Sequence, residues 1–70
     1  MTQHDRIREY IEDWGDITPM DAFRDLGITK LSTRIGEMIA AGERIKKETE
    51  YGVNRYGEKI HYCKYSFYRE

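Results

Sequence analysis

Residues 17–31 read ITPMDAFRDLGITKL and place two helix starts on either side of one short turn. Thr18, followed by Pro19 and then by Asp21, forms a capping box, in which the Thr hydroxyl and the Asp carboxylate bond backbone N–H groups at a helix start. Gly27 ends this helix, because glycine readily takes the left-handed conformation that follows a helix. The next helix starts a few residues later, and two helices joined by so short a turn cross at a steep angle.

The pattern of apolar residues around this turn predicts three helices. They run from about Gln3 to Trp14, from Pro19 to about Leu26, and from about Lys30 to Ala41. In each of them, apolar side chains recur at the three- and four-residue spacing that forms one face of a helix. These faces comprise Ile7, Tyr10, Ile11 and Trp14 in the first helix, Ala22, Phe23 and Leu26 in the second, and Leu31, Ile35, Met38 and Ile39 in the third.

After Gly42 the apolar period changes from that of a helix to that of a strand. Residues Arg44 to Tyr51 and Lys59 to Tyr68 alternate as two strands do, and Asn54-Arg55-Tyr56-Gly57 between them has the residues of a type I turn. A two-stranded hairpin is marginally stable alone, so we expect it to share one core with the helices. The predicted core consists of Trp14, Phe23, Leu26, Leu31, Ile35, Met38, Tyr65 and Phe67.

The length and composition of the chain limit what it can do. Its 70 residues predict a single domain spanning 1–70, with too thin a core for a deep substrate pocket. No apolar run approaches the roughly 18 residues needed to cross a bilayer, and the polar N-terminus does not resemble a signal peptide. The lone cysteine, Cys63, excludes an internal disulfide and favours a reducing, cytoplasmic location.

The residues that would carry catalysis or bind a metal do not form a recognisable set. His4 lies far from His61 and Cys63 in the sequence, whereas a zinc site needs three or four ligands at a characteristic spacing. No Ser/His/Asp set, glycine-rich phosphate loop or pair of catalytic carboxylates is present. We therefore expect no enzyme activity, no metal, no cofactor and no small-molecule substrate.

Charge is distributed unevenly along the chain. The formal net charge is −1, but residues 1–27 hold three basic and seven acidic residues, a net −4, and residues 28–70 hold nine basic and six acidic residues, a net +3. A surface that faces phosphate is therefore expected in the C-terminal part.

The order helix, helix, tight turn, helix, hairpin is that of a winged helix-turn-helix domain, an α+β fold. The sequence resembles the small winged helix-turn-helix domains encoded by bacteriophages and prophages. Three stretches carry the resemblance, ITPMDA at 17–22, GITKLSTRI at 27–35 and NRYGEK at 54–59, and with their spacing they cover most of the chain. The chain departs from the family in having Gly36 in mid-helix, and residues 39–41 are Ile-Ala-Ala where family members tend to carry basic residues.

The resemblance implies binding to double-stranded DNA, as a phage transcriptional regulator or an accessory recombination factor. In such proteins the N-terminal part of the second helix of the motif meets base edges in the major groove. The exposed residues there are Lys30, Ser32, Thr33 and Arg34, of which Arg34 suits bidentate reading of guanine. A lysine at a helix start is best explained by an anionic partner, since the helix dipole disfavours a cation there. The alternative is an ordinary solvated face with an Arg34–Glu37 ion pair.

The hairpin, or wing, offers a second set of cations. We expect Lys46, Lys47, Arg55 and Lys59 to contact the DNA backbone or the minor groove. The alternative is that these lysines only protect an edge strand from aggregation. For Gly36, two interpretations remain open: close approach of a partner or helix, or a tolerated weak point.

Two further hypotheses concern partners. A single module makes a small DNA interface, so useful specificity would need a dimer or cooperative neighbours. In a different class of function, the chain is a protein-interaction module that uses the same fold to bind a host or phage protein. Its surface would then be the acidic faces of the first two helices, comprising Glu9, Glu12, Asp13, Asp16, Asp21 and Asp25.

Overall fold

The computed structural model describes residues 1–68, so Arg69 and Glu70, which enter the charge count above, lie outside the described residues. Helix α1 spans Gln3–Trp14. Helix α2 comprises an α-helical turn, Pro19–Asp21, and a π-helical turn, Ala22–Leu26. Helix α3 spans Leu31–Ala40, and strands β1 (Ile45–Val53) and β2 (Lys59–Phe67) form an antiparallel hairpin. The predicted architecture, three helices followed by a two-stranded wing, is confirmed.

Capping boxes are present at the starts of α1 and α2, and the one at α2 is formed by the predicted residues, Thr18 and Asp21. Thr2 Oγ1 accepts a hydrogen bond from the Asp5 N–H at 3.1 Å, and the Asp5 carboxylate accepts one from the Thr2 N–H at 3.1 Å. Thr18 and Asp21 repeat the same two bonds at the start of α2. Local sequence therefore determines where these helices begin.

The π-helical turn in α2 corrects one predicted core position. Its i→i+5 hydrogen bonds, such as the one from the Gly27 N–H to the Ala22 carbonyl, take more residues per turn than an α-helix. Ala22 and Leu26 therefore stay on the inner face, while Phe23 leaves it and is 61% exposed. The prediction that Phe23 belongs to the core is wrong, because it assumed a regular helical period.

Helix α3 is slightly shorter than predicted at both ends. Lys30 is its N-cap, with φ −123° and ψ 59°, and not a residue of the first helical turn. At the other end the Glu43 N–H bonds the Met38 carbonyl at 3.0 Å and the Gly42 N–H bonds the Ile39 carbonyl at 2.9 Å. With Gly42 at φ +99°, these bonds form a Schellman motif that stops the helix and starts the wing.

The wing begins one residue later and its first strand ends two residues later than predicted. Ile45 pairs with Phe67 at its base, and Val53 pairs with Lys59 near its tip. At the tip the Gly57 N–H bonds the Asn54 carbonyl at 3.0 Å, as the predicted turn requires. One further contact has no counterpart in the sequence pattern: an isolated antiparallel bridge joins Ile17, before α2, to Tyr65.

One apolar core lies between the helices and the base of the wing. Its buried residues are Ile7, Ile11, Ile17, Ala22, Ile28, Leu31, Ile35, Met38, Ile45 and Tyr65. The predicted core members Leu26 and Phe67 pack against it half-buried. Trp14, predicted in the core, is 73% exposed. The chain turns at Gly15 and brings Ile17 into the core at this end of α1, so Trp14 is left at the rim.

The helical pattern also assigns Ile39 to the apolar face of α3, whereas 48% of its surface is exposed. It lies at the edge of the stripe that Leu31, Ile35 and Met38 form on α3. Two side-chain contacts hold α1 beside α3 and the turn that follows it: Arg8 pairs with Glu43 at 2.8 Å, and a hydrogen bond joins His4 Nε2 to Glu37 Oε1 at 2.8 Å.

None of the helices within residues 1–68 has the length and apolar character needed to span a bilayer.

Candidate nucleic-acid interface

The N-terminal part of α3 exposes three of the four residues that the sequence selected, and the fourth, Arg34, is half-buried. Lys30, Ser32 and Thr33 are exposed, while Leu31 on the opposite face is buried. Burial of the apolar stripe therefore turns this polar face outward. Gly36 lies on the exposed side, and a Cβ added there would meet nothing within 4 Å. Gly36 does not serve close packing within the described part of the chain.

Arg34 is held in a network that joins α3 to α1. Its Nη1 donates to both carboxylate oxygens of Glu37, at 2.9 Å and 3.0 Å, and Glu37 also contacts His4. The hydrogen bond from His4 is the largest influence that lowers the pKa of Glu37, and the charge of Arg34 adds to it. Within residues 1–68 no acceptor engages Nε or Nη2 of Arg34, so this edge of the guanidinium remains available for a bidentate ligand.

Strand alternation separates two neighbouring lysines of the wing. Lys47 lies opposite Tyr65, on the face that also holds the core residue Ile45, whereas Lys46 lies opposite Ser66 on the other face. Lys46 Nζ binds Glu48 at 2.9 Å, and Lys47 has no carboxylate within 4.0 Å in the described residues. The prediction grouped Lys46 with Lys47, but their environments differ.

The face of the wing that carries Lys46 is neutralised by further ion pairs. Lys64 binds Glu50 on the neighbouring strand at 2.6 Å and lies 4.0 Å from Asp16 before α2. Its pKa is raised, chiefly by the hydrogen bond to Glu50. The positive and negative side chains on this face pair with one another, so the face has little net charge with which to attract phosphate.

The tip of the wing is a turn that exposes Arg55. Asn54 Oδ1 accepts hydrogen bonds from the backbone N–H groups of Tyr56 and Glu58, at 2.9 Å and 3.1 Å. These bonds fix the turn while Arg55 itself is exposed. Lys59 follows at the first position of β2 and is also exposed.

Ion pairing divides the cations of the described residues into two groups. Those within 4.0 Å of a carboxylate are Arg8, Arg24, Arg34, Lys46 and Lys64. Those without such a partner in residues 1–68 are Arg6, Lys30, Arg44, Lys47, Arg55 and Lys59. Apart from Arg6, the second group lies at the start of α3 and along the wing.

Arg44 is a candidate that the sequence analysis did not single out. It is exposed directly before β1, and its carbonyl accepts a hydrogen bond from the Tyr68 N–H at 3.1 Å, which fixes the backbone at the base of the wing. In the sequence, the only signal for Arg44 is that a basic residue immediately precedes a strand. The structure adds that Arg44 has no carboxylate within 4.0 Å in the described residues.

No three side chains of His, Cys, Asp or Glu converge in residues 1–68 in an arrangement that could hold a metal ion. Cys63 is a half-buried free thiol on β2.

Comparison with known proteins adds one match. A family model described as a winged helix-turn-helix domain matches residues 2–70. No curated protein and no solved structure matches the chain significantly.

Proposed function

The chain belongs to the winged helix-turn-helix family, and on that premise we propose that it binds double-stranded DNA without catalysing a reaction. Helix α3 enters the major groove and the wing follows the phosphate backbone, as in other domains of this architecture.

The distribution of unpaired cations is the observation that supports this most. Of the six cations among the site residues selected from the sequence, four have no carboxylate within 4.0 Å in residues 1–68: Lys30, Lys47, Arg55 and Lys59. An unpaired, exposed cation can neutralise a phosphate and release a counterion without first breaking an ion pair. The remaining two, Arg34 and Lys46, are paired with Glu37 and Glu48.

On α3, Arg34 is the proposed base reader. Glu37 holds Nη1 and thereby orients the guanidinium, while Nε and Nη2 donate to O6 and N7 of a guanine. Ser32 and Thr33 are exposed beside it and contact bases or phosphates. Lys30, at the N-cap, binds a phosphate next to the first N–H groups of the helix.

On the wing, Lys47, Arg55 and Lys59 form the backbone contacts, with Arg44 as an additional one. Lys46 contributes weakly, because its ammonium is already bound to Glu48 on the neutralised face. The wing therefore supplies affinity and α3 supplies sequence preference.

In the cell we propose a cytoplasmic role in phage or prophage gene control, as a transcriptional regulator or an accessory recombination factor. The resemblance to phage-encoded domains supports this role. A single module covers roughly 600–1,000 Å² of interface. Two or more copies on neighbouring sites would therefore provide the specificity that one copy lacks.

A salt titration of duplex binding tests the proposal directly. Binding of a random-sequence duplex pool, measured by fluorescence anisotropy, is expected to weaken with salt at a log–log slope of about −4 to −5, as the five proposed phosphate contacts imply. Folded protein that shows no salt-dependent binding at micromolar concentration would overturn DNA binding. That result would favour the protein-interaction alternative, for which the exposed acidic residues of α1, Glu9, Glu12 and Asp13, provide a specific reason.

A further inference from the structure

Helices α1 and α2 enclose a shallow groove of about 370 Å³ whose lining includes Tyr10, Leu26, Glu9 and Asp13. Trp14 continues the row of Tyr10 one turn further along α1. We call these five residues the α1–α2 surface. It lies outside the residues assigned to DNA.

The apolar part of this surface is preorganised and exposed. The rings of Tyr10 and Trp14 have centroids 6.2 Å apart, with their planes tilted by 38°. The Tyr10 hydroxyl donates to Asp25 at 2.7 Å, which fixes that ring, and Leu26 lies half-buried beside the core. Trp14 leaves 73% of its surface in water. An exposed Trp beside a half-buried Tyr is a typical anchor of a protein interface.

The carboxylates of this surface form no ion pair within the described residues. In residues 1–68 the carboxylates with no cation within 4.0 Å are Glu9, Glu12 and Asp13 on α1 and Glu58 on the wing. The other acidic residues of the N-terminal half are paired. Asp5 binds Arg8, Asp21 and Asp25 bind Arg24, and Asp16 lies near Lys64.

The unpaired carboxylates lie beside the aromatic rings. Glu9 and Asp13 are four residues apart, as are Tyr10 and Trp14, so two adjacent rows run along the same side of α1, one acidic and one aromatic. The lining of the groove also includes the cation Arg6, which the two carboxylates Glu9 and Asp13 outnumber. Net negative charge next to exposed aromatic surface repels phosphate and attracts cations, both by charge and through the ring faces.

We propose that the α1–α2 surface binds a basic amphipathic segment of a partner protein. A bulky apolar side chain of the segment packs on Tyr10 and Trp14 over Leu26, and its Lys or Arg side chains pair with Glu9 and Asp13. Charge complementarity selects this occupant over an acidic or neutral one. This function goes beyond DNA binding and does not rest on it, because α1 contributes none of the proposed DNA contacts.

Trp14 makes the test direct, since it is the sole tryptophan of the chain. The probe is a synthetic tryptophan-free helical peptide with Leu on one face and Lys on the other. We expect it to shift Trp14 emission to the blue in a saturable way. Two matched peptides, one with Glu replacing Lys and one with Ser replacing Leu, separate the contributions of charge and apolar contact. Both are expected to bind at least about tenfold more weakly.

Variants assign the effect to the surface. The double variant Glu9→Gln, Asp13→Asn should weaken binding of the Lys/Leu peptide about tenfold. Glu58→Gln removes the unpaired carboxylate of the wing and is the matched control, for which no change is expected. Trp14→Ala, followed with a fluorescently labelled peptide, should weaken binding by a similar factor. Circular dichroism verifies that each variant is folded.

Four results would overturn the proposal. One is the absence of an emission shift with the Lys/Leu peptide, and another is an equal response to the Glu/Leu peptide. The third is a blue shift that grows with protein concentration when no peptide is present, which would assign the surface to a second copy of the chain. An unchanged affinity in the Glu9→Gln, Asp13→Asn variant would likewise exclude the assigned site.

Discussion

Ile17 and Tyr65 exchange two backbone hydrogen bonds of 2.9 Å each, one in either direction. This pair joins the segment between α1 and α2 to the edge of β2 that β1 leaves open. It fixes the wing to the helical part of the molecule at its base. The position of the proposed backbone contacts relative to α3 therefore depends on a residue between two helices.

The first prediction concerns this junction. Ile17 is fully buried, so Ile17→Ala should lower the free energy of unfolding by about 2–5 kcal/mol and Ile17→Val by about 0.5–1.5 kcal/mol. Urea denaturation measures both. The Ile17 and Tyr65 amides should also exchange slowly with solvent deuterium, and fast exchange at either one would contradict the bridge.

The second prediction concerns the aromatic residues at the rim. Trp14→Ala and Phe23→Ser should each change the free energy of unfolding by no more than about 0.5–1 kcal/mol, because both side chains are mostly exposed. Met38→Ala is the contrasting core change, with an expected loss of about 2–5 kcal/mol. A loss for Trp14→Ala as large as that for Met38→Ala would place the indole in the core.

The third prediction separates the two adjacent lysines of the wing. Lys47→Ala should weaken binding to all DNA sequences and reduce the salt slope by about 0.9, the value for one phosphate contact. Lys46→Ala is the matched control, and its slope should stay unchanged because Lys46 is bound to Glu48. Anisotropy titrations over a range of salt measure both variants. Equal effects would mean that ion pairing does not select the contacts.

The fourth prediction concerns Arg34 and its partner. Arg34→Ala should cost about 1–3 kcal/mol on the preferred site and relax the sequence preference. Glu37→Gln should strengthen binding to non-specific DNA, since it removes a carboxylate from a face that approaches phosphate, and should reduce the sequence preference, since Glu37 orients the Arg34 guanidinium. Selection from a random duplex pool measures both preferences. If Arg34→Ala weakens all sequences equally, Arg34 contacts phosphate and does not read a base.

The fifth prediction concerns acid stability. The hydrogen bond from Arg24, followed by the one from Tyr10, lowers the pKa of Asp25 from 3.8 to about 2. A lowered pKa means that the folded state favours the carboxylate, so its stabilisation is present above about pH 4 and is lost as the pH falls toward 2.

The difference in melting temperature between the wild type and Asp25→Asn should therefore shrink over this range. Differential scanning calorimetry at successive pH values measures it. High salt should reduce the difference at neutral pH, because the pair is exposed and screened. A difference that does not vary with pH would show that the Asp25 carboxylate contributes no linked stabilisation.

The places where local sequence and the observed structure agree share one physical cause. Thr18 and Asp21 start α2, and Asn54 and Gly57 close the wing, because each motif satisfies backbone hydrogen bonds within a few residues of itself. Such interactions do not depend on any distant contact. For the same reason the order of helices and strands, and hence the fold class, follows from the sequence.

The periodicity of apolar residues in the sequence predicts only part of the burial pattern. It placed Leu31, Ile35 and Met38 correctly but also buried Trp14 and Phe23, which the structure exposes. A periodic pattern gives the direction of a side chain on an ideal helix. It does not show which part of that face another element covers, or where a π-helical turn shifts the period.

The sequence by itself determined the three helices, the wing, the capping box of α2 and the turn at the wing tip, because each follows from interactions between residues close in the chain. Only the tertiary structure decided that Ile17 pairs with Tyr65, and that His4 and Glu37 meet. It also decided which cations and carboxylates remain unpaired. Those outcomes depend on the side chains that distant segments bring within a few ångströms, and no local pattern encodes that distance.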